Sequence, residues 1–290
     1  MQNSAVKEFE QYHQIKILQN WKNAERCVEI LAIFHKKLRF AMGQLQEDDF
    51  HKNPTVAIVF QLINRIYEQI NGGISCICTK NHASSEVLSR TAIESSVNVL
   101  FFLKDETDSK VFSWLKKYID EDMEHISDWE KSLTTQEEKD VHLPRIQTRR
   151  MLNEYKKDFV QEYIEQVKNI LNIDENFFLP KKILKRFQEV GHETTYHTVY
   201  TRLSATTHLN AEDTISYMMA KISGNKELEL QIGLEASAFS EFMQIYALFF
   251  YGKVVEQFYF KYATQTDHEI AQSIDELLSI MNSIGAEWDW

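Results

Sequence analysis

Glycine and proline are scarce in this chain: 8 glycines and 3 prolines among 290 residues. A sheet protein of this size needs many tight turns, and tight turns draw on those two residue types. The scarcity therefore favours long helices over many short strands. Val28, Leu31, Ala32, Leu38 and Met42 keep helical spacing, with charges filling the positions between them. The expected fold is all-α, a multi-helix bundle. No linker, repeat or low-complexity stretch divides the sequence, so residues 1–290 are expected to form a single integrated helical domain.

Capping residues predict where the helices begin and end. The first runs from about Ala5 to Gln46 with a break near Asn20–Asn23, and Asn53-Pro54 opens a second that reaches about Ile70. Gly72-Gly73 marks either a break or a close helix–helix approach. A third helix covers Ser84 to Leu103, and Thr107-Asp108 caps a fourth. Thr134 and Glu137 have capping-box spacing, Pro144 is read as an interruption, and a charged helix follows over Gln147–Leu171. Pro180 opens a short basic helix, KKILKRFQEV, closed by Gly191. Asn210 with Asp213 reads as a cap, a long aromatic helix covers 226–263, and Thr266 with Glu269 caps the last helix.

Charge and cysteine usage exclude several functions. A net charge of −11 argues against coating nucleic acid by bulk electrostatics, although a local basic patch still acts over roughly 10 Å. Cys27, Cys76 and Cys78 make no even disulfide framework and no paired zinc motif, so they read as buried thiols of a reducing compartment. The leading segment MQNSAVKEFEQYH lacks the pattern of a secretory signal, and a cytoplasmic location is expected. The most apolar run, 239–251, is interrupted by Ser240, Glu241 and Gln244 and reads as a core helix rather than a membrane span. No metal site and no cofactor are expected. His192-Glu193 precedes His197 at a spacing that cannot put both imidazoles on one helical face, and Asp122 with His125 is one isolated pair.

Two constellations carry the chemistry. On the third helix, Val87, Arg90, Glu94, Val97 and Phe101 share a face, so an Arg–Glu pair sits between apolar neighbours. It is either a structural pair fixing helix register or the polar floor of a site. In the stretch Tyr200-Thr-Arg202-Leu-Ser204-Ala-Thr-Thr-His208, the residues Tyr200, Ser204 and His208 stand four apart on one face. That row is either a hydroxyl–imidazole network tying helices together or part of a site. Arg202 lies six residues before His208, about 120° away around an ideal helix.

The Arg202–His208 spacing resembles the R-x5-H motif of the HEPN superfamily, helical proteins that include toxin and antiviral ribonucleases. The pairing of LSRTAIES with YTRLSATTH, about a hundred residues later, also looks like a family of uncharacterised bacterial HEPN-like proteins. The resemblance covers these two short motifs. HEPN nucleases often carry a polar residue directly after the arginine, where this chain has Leu203. It implies a metal-independent endoribonuclease acting as a toxin or host-defence effector. His208 would be the general acid–base and Arg202 the group facing phosphorane charge, with Arg90, Glu94, Tyr200 and Ser204 in support. It also implies a homodimer, because HEPN sites commonly form at a two-fold interface. Lys181, Lys182, Lys185 and Arg186 would then hold an RNA backbone, or else form a solvated helix face. The alternative is a non-catalytic helical module that binds a partner protein or small ligand.

Overall fold

A computed structural model describes residues 4–15, 21, 23–105, 109–168, 182–203, 215, 218–219, 221–263 and 266–288. Nearly all of them are helical, and no strand occurs among them. The helices are α1 (Ser4–His13), α2 (Ala24–Gln44), α3 (Glu47–Lys52), α4 (Val56–Cys78), α5 (His82–Leu103), α6 (Ser109–Ser132), α7 (Gln136–Val167) and α8 (Ile183–Val190). They continue with α9 (Glu193–Thr195), which runs into a π-helical turn at Tyr196–Tyr200, then α10 (Lys226–Ala263) and α11 (His268–Trp288). Contacts group the chain into two compact units. One holds Met1–Gln46, Ala57–Leu103 and Lys182–Trp290; the other holds Glu47–Val56 and Lys104–Lys181.

The first unit is built around α10, which packs against α5, α2 and α11. Its buried residues, among them Phe239, Met243, Leu248, Phe250, Tyr251, Val254 and Phe258, include most of the run that reads as a core helix in the sequence. Two glycines set how closely the helices approach. A Cβ at Gly252 would lie 2.6 Å from the Phe34 ring, and one at Gly73 would lie 2.1 Å from Gln244 Oε1. Gly72-Gly73 is therefore a close approach and not a break, since α4 continues through it to Cys78. The polar atom admitted at this point is fully used. Gln244 Nε2 donates to the Ile70 carbonyl at 2.9 Å, while its Oε1 accepts from Ser89 at 2.7 Å and Ser85 at 3.4 Å.

The second unit is a hairpin of α6 and α7 grouped with α3. Phe112, Ile164 and Val167 form its small core, with Leu115, Val160 and Tyr163 packed on them. The capping box that starts α7 lies one residue later than expected. Thr135 Oγ1 accepts from the Glu138 amide at 3.2 Å, and the Glu138 carboxylate accepts from the Thr135 amide at 2.9 Å. Pro144 does not interrupt the helix but lies inside it. Proline removes one N–H from the ladder, a loss that a helix of 32 residues survives. Asp122 is paired with Arg149 rather than with His125.

Capping closes three further helix ends by ordinary means. Gly191 sits at φ 83° after α8, and its amide and that of His192 bond back to Gln188 and Phe187. Asn225 Oδ1 accepts from the Glu227 and Leu228 amides at 3.1 Å. Asp267, rather than Thr266, caps α11 by accepting from Glu269 and Ile270. The expected caps at Thr107-Asp108 and Asn210, and the opening at Pro180, lie outside the described residues. Among the described residues no helix is long and apolar enough to cross a membrane.

Candidate functional site

Helix α5 carries polar residues at every fourth position: Glu86, Arg90, Glu94 and Asn98. That period stacks them in one row along the helix. Together they meet three other elements. Glu86 accepts from the Ser240 hydroxyl of α10 at 2.5 Å. Arg90 lies with its guanidinium 5.5 Å from the centre of the Tyr200 ring, and Glu94 accepts from the Tyr200 hydroxyl at 2.7 Å. Asn98 accepts from Arg186 of α8 at 2.6 Å. The row is half-buried, which lets each partner replace the water it displaces. Val87, read as an apolar flank, is instead 42 % exposed; Val97 and Phe101 are buried as expected.

The two sequence motifs thus meet at Tyr200. Its ring is 6 % exposed and packs against Phe187 and Tyr196, with centroids 5.4 Å away in each case. Burial first, and then the bond to the Glu94 carboxylate, push the phenol up to about 12 while Arg90 opposes them. The hydroxyl therefore stays protonated at neutral pH and acts as a donor. Cation–π attraction from Arg90 adds to this hold.

The π-helical turn sets the position of Tyr200. The Thr201 amide bonds to the Tyr196 carbonyl, five residues back. Thr198 and Thr201 each turn their hydroxyls onto the carbonyl four residues earlier, at 3.0 and 2.6 Å. Threonine back-bonding of this kind competes with the regular ladder, and π turns recur at functional sites. Past the turn, Leu203 is fully buried and anchors the backbone. Arg202, one residue earlier, is exposed and spreads its guanidinium 4.3 Å over the Phe239 ring of α10.

The remaining candidates divide. Lys182, the N-cap of α8, and Lys185 on it are exposed, whereas Arg186 is 7 % exposed and turned inward to Asn98. Phe187 and Val190 of the same helix are buried with it. Ser204, His208 and Lys181 lie outside the described residues. His192 meets the Phe250 ring edge-on at 4.9 Å. Among the described residues no group of three His, Cys, Asp or Glu side chains is disposed to hold a metal ion. Cys27, Cys76 and Cys78 form no disulfide, with Cys27 and Cys78 buried and Cys76 half-buried. Sequence reading missed Asn98, Glu86 and Phe239. The four-residue period of the α5 row is the signal that finds the first two.

These features define an all-helical protein whose α5 polar row meets a π-turned helix bearing an exposed arginine. The chain belongs to the family of unknown function DUF5677, whose model matches residues 56–226. That span contains the α5 row, the π turn, Arg202 and His208. No curated protein and no solved structure matches the chain.

Proposed function

We propose that this chain is a HEPN-like helical protein that cleaves RNA without a metal, as a toxin or host-defence effector in the cytoplasm. The observation that supports the reading is the bond from Tyr200 to Glu94 at 2.7 Å, which joins the two motif segments that carry the resemblance. It fixes the helix from which Arg202 projects two residues later. Arg202 is exposed, with its guanidinium over the Phe239 ring. RNA carries its own nucleophile in the 2′-hydroxyl. His208 takes its proton or protonates the leaving 5′-oxygen, and Arg202 faces the charge that builds on the phosphorane. Lys182 and Lys185 supply backbone contacts.

A homodimer belongs to the same proposal, because Arg202 and His208 diverge on an ideal helix and converge more readily from two chains. Ile215, Met218, Met219, Ile222, Leu230 and Leu234 are exposed apolar residues following His208, consistent with a partner surface. The test is incubation of the purified chain with structured and single-stranded RNAs, with and without EDTA. Cleavage that ignores EDTA and fails on a substrate with a 2′-deoxy group at the scissile position supports the reading. Cleavage that stops with EDTA refutes it.

The second reading is a non-catalytic module that binds a partner protein or small ligand. It is favoured by α7, where Val141, Met151, Leu152, Tyr155 and Phe159 are exposed and span about 100° of one face. Crosslinking that captures a partner through α7, from a chain inert on RNA, distinguishes it.

A further inference from the structure

A concavity in the first unit draws on helices outside the candidate site. α1, α2 and α4 enclose a cleft of 680 Å³, within the roughly 300–1,000 Å³ typical of small-molecule sites. Aromatic rings and carboxamides dominate its lining. Tyr12, His35 and Tyr67 contribute rings, and Gln61, Asn64 and Asn71 contribute primary amides from one face of α4. His35 and Tyr67 are stacked, with centroids 4.0 Å apart and planes inclined by 22°. Burial, helped by the charge of Arg39, holds the His35 pKa below its ordinary value, so the imidazole is neutral at physiological pH.

Each primary amide offers two donors and an acceptor within one plane. The edges of nucleobases present the complementary alternation, and Asn and Gln are the side chains that read it pairwise. Aromatic rings contribute stacking or edge contacts to a flat heterocycle. The charges at the rim settle what the heterocycle carries with it. Glu8 and Glu68 outweigh Arg39, so a phosphate group meets net repulsion.

We propose that this cleft binds an uncharged nucleoside, its base engaged by the amides of Gln61, Asn64 and Asn71 beside the His35–Tyr67 pair. The site uses none of the residues of the ribonuclease proposal, and α1 and α2 fall outside the residues that the family model matches. Failure of either proposal therefore leaves the other standing.

Calorimetric titration of the full chain with adenosine, guanosine, cytidine and uridine, and with their 5′-monophosphates, tests it. At least one nucleoside should bind with a Kd below about 1 mM, and its monophosphate should bind more weakly. Asn64→Leu should weaken binding by about tenfold or more, the loss expected for one buried hydrogen bond. Gln61→Leu, at an exposed position, serves the same purpose should Asn64→Leu fail to fold. Absence of binding by all four nucleosides overturns the proposal. So does a monophosphate that binds more tightly than its nucleoside, or binding that survives the folded variant unchanged.

Discussion

The Tyr200 hydroxyl donates to Glu94 Oε2 at 2.7 Å across a separation of 106 residues in the sequence. With Arg90 on the ring face, one side chain ties together a carboxylate, a guanidinium and an aromatic cluster. The bond fixes helix against helix at a point two residues from the exposed Arg202.

Tyr200→Phe tests the bond by itself. The ring stays to fill the space among Phe187 and Tyr196, and only the hydroxyl is lost. Glu94 is half-buried and regains some water, so the expected loss of stability is about 1 kcal/mol, at the lower end for an orphaned acceptor. Urea denaturation measures it, and a variant as stable as the parent shows that the bond contributes nothing net.

Gly73→Ala addresses the core of the first unit. The new methyl meets the Gln244 amide, which is buried and committed to Ile70 and Ser89. Either helix must move or that network must break, at a cost of about 1–3 kcal/mol. Gly43→Ala is the control, since a Cβ there meets nothing within 4 Å. In α2 it should be neutral or stabilising by a few tenths of a kcal/mol. Equal effects from the two substitutions count against close approach as the reason for Gly73.

Glu241 gives the fold a pH dependence. Burial pushes its carboxyl up from the ordinary 4.5 to about 7. The folded state therefore binds this proton more tightly than the unfolded chain does. Its contribution is complete below pH 4.5 and is lost as pH rises through about 7. Glu241→Gln keeps the shape and removes the titration. The variant should gain in melting temperature over the parent as pH rises from 5 to 8, with the gap closing at the acid end. Parallel curves contradict the assignment.

Much of the fold is legible in the sequence, because Gly and Pro scarcity and apolar spacing act locally. The end of α8 follows directly from Gly191. Thr134-Thr135 and Glu137-Glu138 offer two overlapping capping boxes, and only three-dimensional geometry chooses the later one. Pro144 reads as a break because propensity scales a single residue, whereas the surrounding turns carry α7 through it. Gln244 looks like a polar interruption of an apolar run, and its meaning depends on Gly73, far away in sequence. Of the site, Arg90, Glu94 and Tyr200 are readable from spacing. The inward turn of Arg186 is not, since it depends on Asn98 facing it from another helix.

The catalytic prediction rests on the ribonuclease proposal and also tests its two-fold form. His208→Ala should lower RNA cleavage by about 10²–10⁴-fold, the usual loss when a general acid–base is removed. Arg202→Ala should cost about 10²–10³-fold by removing the charge that faces the phosphorane. Phe239→Leu leaves Arg202 in place but takes away the ring that holds it at 4.3 Å. Its loss should be smaller and fall on kcat more than on KM, because the cation–π contact is worth about 1 kcal/mol. Mixing the two alanine variants after unfolding and refolding them together discriminates further. If each site takes Arg202 from one chain and His208 from the other, half the dimers are mixed and each retains one intact site. About a quarter of the parental activity then returns. A site contained within one chain returns none. Full activity in His208→Ala, with its fold intact by circular dichroism, ends the mechanism whichever way the mixing experiment falls.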